Sequence, residues 1–229
     1  MRGFLIIIFY RIKKYYIIAS EGVLNMTDMK KDLIYWSQRT YQKGLSPATS
    51  GNASVRVDDK ILITPTGACL NDMGEDDLVL MDFDSNIIEG KRKPSMEKYL
   101  HIAIYSKRED IKAIIHSHCP YITAFAVARK AITKPIMPEF VYNFGEIPLA
   151  PYGTPSTLKL AQETAKYFDK SNCVLMTNHG VVVGAESLQK CFYNLEALRA
   201  YAQTYFGAEV LGGAKSLSQK QIDDMKQLK

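Results

Sequence analysis

The sequence lacks the features that mark several large classes of protein. Its 229 residues contain no internal repeat, no low-complexity stretch and no linker rich in proline, glycine or serine, so we expect one domain over residues 26–229. Hydrophobic residues make up 47% and charged residues 23%, proportions that exclude a disordered or collagen-like chain. No apolar run approaches the roughly 20 residues that a membrane-spanning helix needs, so we expect no membrane partner.

Cysteine is scarce, and its spacing shows no pairing. The four cysteines are far apart in the chain, at Cys69, Cys119, Cys173 and Cys191. This spacing predicts neither a disulfide framework nor a zinc knuckle, so each cysteine is expected to be a small buried hydrophobe. The pattern is typical of a reducing compartment, and we expect a cytoplasmic protein.

The main part of the chain also lacks a strong charge of one sign. The formal net charge is +5, but four basic residues precede Glu21, the first acidic residue. Because the surplus is concentrated at the N-terminus, we expect no nucleic-acid partner. The same terminus holds two short apolar runs, at 4–10 and 15–18. We interpret residues 1–25 as an extension that is disordered or an over-called start, with a secretory signal as the alternative.

Hydrophobic periodicity and capping residues predict helices that alternate with short strands. The predicted helices cover about 27–43, 94–105, 120–130, 157–169 and 187–207, and Ser218 with Gln221 predicts a last short helix. Thr27 or Asp28 is the expected cap of the first helix and Ser95 that of the second. The predicted strands cover 53–57, 60–64, 78–82, 87–88, 113–116, 173–177 and 181–183. Hairpins with few crossovers indicate a mostly antiparallel sheet with flanking helices, an α/β fold of the α+β type.

Three of the four histidines stand at the ends of predicted strands. His116 and His118 are two residues apart, so on an extended strand both imidazoles point to the same face. His179 lies in a tight turn with Gly180. Three imidazoles that meet at one point could hold a catalytic zinc ion with one position open, although unremarkable half-buried histidines are the alternative. His101 follows Glu97 by one helical turn, which predicts either a neighbour of that carboxylate or a core histidine.

Three earlier segments have the composition of anion-binding turns. The first is 50–54, with Gly51 and Asn52 among hydroxyl side chains, and the second is 64–67, which ends with Thr66 and Gly67. Ser95 adds the start of a predicted helix, where free amide groups and the helix dipole favour an anion. Ordinary turns are the alternative for each segment, and dipole compensation is the alternative for Glu97.

Five motifs resemble, in their order along residues 28–210, those of the class II aldolase/adducin family: Gly51-Asn52, Thr66-Gly67, Pro94-Ser95-Met96-Glu97, His116-Ser117-His118 and Asn178-His179-Gly180. The resemblance implies a central, mainly antiparallel sheet with helices on both sides, and a homotetramer with active sites between subunits. It implies one zinc ion per subunit, with the ligands His116, His118 and His179. The resemblance also implies a binding site for a substrate phosphate, formed by Gly51, Asn52, Thr66, Gly67 and Ser95.

Two further positions bear on the reaction that the resemblance implies. Glu97 matches the catalytic acid and base of the aldolase branch, whereas the related epimerases typically have aspartate there. Met96 replaces a serine that the fuculose-phosphate aldolases have, which removes one hydroxyl contact to phosphate. The second acid and base is implied to be Tyr142 or Glu139, with a packing aromatic as the alternative for Tyr142.

The expected function is a zinc-dependent aldolase, a carbon–carbon lyase. Its expected substrate is a ketose 1-phosphate, L-fuculose 1-phosphate or a related deoxyketose 1-phosphate, which it would cleave to dihydroxyacetone phosphate and an aldehyde. Methylthioribulose-1-phosphate dehydratase and pentulose-phosphate 4-epimerase are the alternatives that keep the same metal site. A non-catalytic module like the adducin heads is disfavoured, because all three candidate zinc ligands are present.

Overall fold

The computed structural model describes residues 25–227, in which helices cover both faces of an eight-stranded sheet. The interpretation of residues 1–25 as an extension therefore lies outside the described residues, apart from Asn25. The seven helices of the described residues are α1 (Met26–Gln42), α2 (Lys98–Lys107), α3 (Pro120–Val127), α4 (Pro138–Asn143), α5 (Leu158–Ala165), α6 (Leu188–Val210) and α7 (Gln219–Lys226). The strands are β1 (Asn52–Val57), β2 (Lys60–Ile63), β3 (Val79–Asp82), β4 (Ile87–Glu89), β5 (Ala113–Ser117), β6 (Leu149–Ala150), β7 (Cys173–Met176) and β8 (Gly180–Ala185).

The strand order in the sheet is β4-β3-β2-β1-β5-β8-β7-β6. Neighbouring strands run antiparallel in every described pair except β6 with β7, which is parallel. Strands β1, β5 and β8 lie next to one another. Because they run antiparallel, the beginning of β1, the end of β5 and the beginning of β8 lie at the same end of these strands. The expected mainly antiparallel sheet is confirmed.

Alternate strand residues supply two separate cores, one on each face of the sheet. On β5, Ala113 and Ile115 pack with α1, α3 and α6, whereas Ile114 packs on the opposite face with α2 and α5. On β7, Leu175 and Val174 divide in the same way. Because successive side chains of a strand point to opposite faces, a strand that is apolar at every position must be covered on both sides. The expected helices on both sides are thereby confirmed.

The structure corrects several element boundaries. The cap of α1 is Asn25, whose side-chain oxygen accepts the amide hydrogen of Asp28 at 3.0 Å. Thr27 and Asp28, the expected caps, both lie inside α1. The second helix begins at Lys98 instead of Pro94, with Glu97 and not Ser95 at the cap position. The last short helix has the predicted capping box between Ser218 and Gln221.

The connector 135–155 contains two short elements that periodicity did not predict. These are α4 and the two-residue strand β6, and both are too short to show a repeating apolar pattern. The predicted helix 157–169 ends at Ala165 and continues as a tighter 3₁₀ turn, Lys166–Asp169.

The cysteines and the hydropathy of the helices agree with most of the expectations. All four cysteines are free, and three of them are buried, but Cys69 is partly exposed, so the expectation of burial was wrong for that residue. None of the helices within residues 25–227 is long and apolar enough to cross a membrane.

Candidate active site

Three histidines meet where β5 ends and β8 begins. His116 is the penultimate residue of β5, His118 follows the strand, and His179 directly precedes β8. The Nε2 atoms of His116 and His118 are 2.9 Å apart, and each of the three side chains offers a nitrogen within 4.8 Å of the other two. The antiparallel pairing of Ser117 with Val181 creates this proximity, because it places the end of one strand beside the start of the other.

The electrostatics of the cluster favour neutral imidazoles. Burial lowers the pKa of His116 well below its usual range, and the neighbouring His179 and His118 lower it further. Burial also lowers the pKa of His118, and burial together with His118 lowers that of His179 to about 4. At neutral pH all three side chains are therefore unprotonated on one nitrogen, which is the form that binds a metal ion.

The hydrogen bonds of the cluster fit a divalent transition metal. The Nδ1 of His116 lies 2.9 Å from the carbonyl oxygen of Val181, and since that oxygen can only accept, Nδ1 carries the proton and Nε2 keeps a lone pair. Among the described residues, the Nδ1 of His179 is buried without a hydrogen-bond partner. Three imidazole nitrogens are a donor set that zinc and related ions accept in catalytic sites with an open position.

Two glycines allow the backbone to approach the cluster closely. A Cβ atom at Gly180 would lie 2.5 Å from the carbonyl oxygen of Ser117 and 3.0 Å from Cδ2 of His118. A Cβ atom at Gly51 would lie 2.8 Å from the carbonyl oxygen of His116, and its φ of +81° also favours glycine. The glycine at position 51 is thus explained by packing, independently of any contact with phosphate.

The three candidate anion-binding segments are joined by backbone pairing. Asn52 pairs with His116 across β1 and β5, and the amide of the next residue, Ala53, donates to the hydroxyl oxygen of Thr64 at 3.1 Å. The backbone amide of Ser95 donates to the carbonyl oxygen of Thr64 at 3.1 Å. These bonds form a continuous path from β5, the strand that carries His116, to the segment that carries Glu97.

The same bonds correct the expected source of anion donors. The amide of Ser95 donates to the carbonyl oxygen of Thr64, and that of Thr66 donates to the carbonyl oxygen of Lys93, so neither of these two amides is free to bind an anion. The Ser95 hydroxyl oxygen accepts the amide hydrogen of Glu97 at 3.2 Å, which leaves its own hydrogen able to donate. Gly67 has a φ of +68° with open space at its Cβ position, and Met96 is 64% exposed.

Glu97 is a buried carboxylate held by a residue that the sequence did not indicate. Its side-chain oxygen Oε1 accepts hydrogen bonds from the amide of Ser156 at 2.9 Å and from the hydroxyl of Ser156 at 3.3 Å. Burial raises the pKa of Glu97, and the two bonds from Ser156 oppose that effect. Ser156 has a φ of +67°, which is rare for serine, and no local pattern in the sequence predicts it.

Tyr142 and Glu139 are both on the short helix α4, where both side chains are exposed. The inward residue of α4 is Phe140, whose ring stacks on Tyr201 of α6 with 3.9 Å between the ring centroids. His101, in contrast, is completely buried and bonded to Asn52 and Ser54, so it is the core histidine of the two expectations and not a partner of Glu97.

Comparison with known proteins identifies relatives over most of the chain. Residues 31–206 match the model of the family described as the class II aldolase and adducin N-terminal domain. The L-fuculose phosphate aldolase of Methanocaldococcus jannaschii is 38% identical over 76% of this chain and 93% of its own length. The 3-oxo-tetronate 4-phosphate decarboxylase of Haemophilus influenzae is 34% identical over 79% of this chain and 89% of its own.

The fold comparison agrees with the sequence comparison. A solved structure of an L-fuculose 1-phosphate aldolase superposes with a TM-score of 0.82 and 32% identity, over 89% of this chain and 97% of that one. The expectation of a carbon–carbon lyase is confirmed. The chain belongs to the class II aldolase and adducin family.

Proposed function

We propose that the chain is a zinc-dependent aldolase that cleaves a ketose 1-phosphate to dihydroxyacetone phosphate and an aldehyde. The substrate would be L-fuculose 1-phosphate or a related deoxyketose 1-phosphate. The observation that carries the proposal is the series of strand pairs and hydrogen bonds that joins three neutral imidazoles, the candidate anion donors and a buried carboxylate. A phosphorylated substrate needs an anion site and a reactive centre at a fixed separation. The paired ends of β1 and β5 supply that separation, because strands in a sheet are held rigidly.

The metal would be one Zn²⁺ ion per subunit, held by His116, His118 and His179. A bound zinc ion would supply Lewis-acid stabilisation of the negative charge that develops on the substrate when its carbon–carbon bond breaks. The Nδ1 bond from His116 to Val181 fixes the ring so that Nε2 faces the cluster. The low pKa values of the three side chains keep them ready to bind a cation at neutral pH.

The substrate phosphate would be bound by groups along the adjoining turns. Asn52 would donate from its amide nitrogen, because its oxygen is already bonded to His101 at 2.6 Å. Ser95 would donate from its hydroxyl group, and Thr66, Gly67 and Gly51 would complete the site. The exposed side chain of Met96 contributes no hydrogen-bond donor, so this phosphate site would have one hydroxyl group fewer than that of the fuculose-phosphate aldolases.

Glu97 would carry the proton that the new carbon of dihydroxyacetone phosphate must gain. Burial raises its pKa above the usual value, which makes the carboxyl group better able to hold a proton and then give it up. Both bonds from Ser156 engage Oε1, so Oε2 would be the oxygen that transfers the proton. A Glu97→Gln variant, which keeps the shape and loses the titration, is expected to bind substrate and cleave it at a small fraction of the wild-type rate.

The second acid and base would be Tyr142 or Glu139 of a neighbouring subunit in a homotetramer. It would take the proton of the hydroxyl group whose carbon becomes the aldehyde. The exposed positions of both side chains on α4 fit a residue that reaches another chain's site. A cytoplasmic location is part of the proposal, since four free cysteines fit a reducing compartment.

Decarboxylation of a 3-oxo-tetronate 4-phosphate is the second candidate function, and the 34% identity to a decarboxylase of that name favours it. Both reactions break a carbon–carbon bond and leave a carbon that must be protonated, so one site could serve either. The products separate them, because decarboxylation releases carbon dioxide and aldol cleavage releases an aldehyde. The dehydratase and epimerase alternatives leave the carbon skeleton whole.

The test combines metal analysis with a substrate panel. Wild-type protein, His116→Ala and His179→Ala are assayed for bound zinc and for release of dihydroxyacetone phosphate from a panel of ketose 1-phosphates. Metal-stripped wild-type protein with and without added zinc is the control for damage that substitution causes. We expect cleavage only by the zinc-loaded wild-type protein, and full cleavage by a variant that holds no zinc would refute the proposal.

A further inference from the structure

A buried chain of polar side chains lies under β1, outside the groups that would touch substrate. Its centre is His101 of α2, which is 0% exposed. Its Nε2 is 2.6 Å from Oδ1 of Asn52, and its Nδ1 is 2.6 Å from the hydroxyl oxygen of Ser54. The Ser54 hydroxyl is in turn 2.8 Å from the hydroxyl of Tyr105, which donates to the carbonyl oxygen of Ser54 at 3.0 Å.

The strand geometry explains why this chain ends at Asn52. Asn52 and Ser54 are two residues apart on β1, so both side chains point to the face that α2 covers. Asn52 is also the first residue of the strand and the partner of His116 in the neighbouring strand. Its side chain thus connects the buried network on one side with the candidate substrate site on the other.

The placement of the Asn52 amide oxygen beside His101 sets the proton positions in the network. His101 is neutral, since burial lowers its pKa to about 3, so one ring nitrogen donates and the other accepts. The Asn52 atom beside Nε2 is the amide oxygen Oδ1, which can only accept, so Nε2 carries the proton and Nδ1 accepts from the Ser54 hydroxyl. The amide NH₂ group of Asn52 is then directed away from His101.

The opposite arrangement would present the wrong group to an anion. If Nδ1 of His101 carried the proton, Nε2 would need a donor, and the Asn52 amide would have to turn its NH₂ group inward. The amide oxygen would then face the site and repel a phosphate. An orienting partner therefore matters more for asparagine than for a charged ligand of phosphate, because the two ends of the amide have the same shape and opposite polarity.

We propose that His101 is a positioning residue that holds Asn52 with its NH₂ group toward a substrate phosphate. The inference rests on the proposed function, because it assumes that Asn52 binds phosphate. It assigns His101 a role that burial alone would not give, since an apolar side chain of similar volume would fill the same space. The prediction is that His101 acts on phosphate affinity only through Asn52.

A double-mutant cycle on inorganic phosphate binding tests this dependence. Zinc-loaded wild-type protein, Asn52→Ala, His101→Leu and the double variant are titrated with phosphate by calorimetry. We expect each single substitution to weaken phosphate binding by roughly 10-fold or more, the loss associated with a hydrogen bond to a charged group. The double variant is expected to bind no more weakly than Asn52→Ala, because the second substitution removes nothing further.

Three additional variants separate positioning from general damage to the core. His101→Gln keeps a side-chain amide that can donate to Oδ1, and it is expected to recover most of the phosphate affinity. Ser54→Ala removes the donor to Nδ1 together with the contact to the Tyr105 hydroxyl, and it leaves His101 in place, so it is expected to weaken phosphate binding in a folded protein even if His101→Leu does not fold. Ile104→Val, on the same helix and fully buried, is the control for a small loss of stability, and it is expected to bind phosphate normally.

Substrate kinetics provide the second measurement, in which we expect His101→Leu to raise KM far more than it lowers kcat. Wild-type phosphate affinity in both His101→Leu and Ser54→Ala would overturn the inference, and so would losses that multiply in the double variant. The proposed reaction fails separately: a wild-type protein that binds phosphate with this pattern and cleaves no ketose 1-phosphate would refute the reaction and support the positioning role.

Discussion

Substitution of Gly180 by alanine tests the geometry of the candidate metal site, the cluster of His116, His118 and His179, with the smallest possible change. Gly180 begins β8 directly after His179, and its backbone is that of a strand, so alanine brings no conformational penalty of its own. The added methyl group would lie 2.5 Å from the carbonyl oxygen of Ser117 and 3.0 Å from Cδ2 of His118. Both distances are shorter than the 3.4 Å at which ordinary van der Waals contact begins.

The two overlaps affect different properties. The backbone oxygen of Ser117 is part of the β5–β8 ladder, so relieving an overlap of about 0.9 Å requires the two strands to move apart. Overpacking of this kind costs typically about 1–3 kcal/mol of unfolding free energy, which for a chain of this length lowers Tm by roughly 2–12 °C. The His118 ring must shift by about 0.4 Å or rotate, and disturbing the support of a metal ligand typically weakens metal binding by about 10–100-fold.

The assay compares Gly180→Ala with Gly207→Ala, measuring Tm without metal and zinc affinity by competition with a chromophoric chelator. Gly207 lies inside α6 with nothing within 4 Å of its Cβ position, so there alanine is expected to stabilise the helix by about 0.5–1 kcal/mol and to leave zinc binding unchanged. Zinc affinity of Gly180→Ala equal to that of the wild type would refute the assignment of this cluster as the metal site. An unchanged Tm would show that the strands tolerate the methyl group.

Three further predictions concern acid stability, thiol reactivity and capping. Since the pKa of His101 falls from the usual 6.5 to about 3 on folding, its contribution to stability is complete above pH 6.5 and is lost as the pH falls toward 3. Denaturant titrations should therefore show that, between pH 7 and pH 5, the unfolding free energy of the wild-type protein falls by about 2 kcal/mol more than that of His101→Gln. Equal falls in the two proteins would contradict this. A thiol reagent should label Cys69 first in the folded protein, because the other cysteines are buried and burial raises the pKa of Cys173 to about 12; fast labelling of more than one thiol would contradict it. Ser187→Ala should lower the unfolding free energy by about 1 kcal/mol, because the Ser187 hydroxyl oxygen accepts the amide hydrogen of Lys190 at 3.2 Å, and Ser187→Asp should retain the wild-type value.

The fold was predictable wherever an element had a repeating pattern or a cap. Strands such as Cys173–Met176 are apolar at every position, and hairpins such as Val57 to Lys60 have the turn residues that connect antiparallel strands. The start of the helix was mispredicted at 94–95. The backbone amide of Ser95 donates to the carbonyl oxygen of Thr64, so this segment pairs with another strand end and the helix begins after it, at Lys98. Tertiary pairing of this kind leaves no local signal in a sequence.

The site was predictable to the extent that single residues reveal their chemistry. Two histidines at strand spacing indicate a shared face, and the structure brings their Nε2 atoms to 2.9 Å. Ser156 could not have been found in this way, since serine in a left-handed conformation is unmarked in a sequence and its partner Glu97 is 59 residues away. The partners of His101 were hidden for a similar reason, because its spacing from Glu97 predicted either a neighbour of that carboxylate or a core histidine, and gave no sign of its bonds to β1.

The register of β1 makes the candidate metal ligands and the candidate phosphate donors depend on each other. β1 lies between β2 and β5, so one pairing sets Asn52 opposite His116 and the other sets Ser54 opposite Ile63. A slip of one residue would turn every β1 side chain to the other face, remove Asn52 and Ser54 from His101, and place the apolar Ala53 beside the histidines. Packing of the buried Ala53 and the partly buried Val55 on the face opposite α2 resists that slip. The alternation of small apolar and polar residues along β1 therefore stabilises the core and also fixes the separation between the candidate zinc ligands and the candidate phosphate donors.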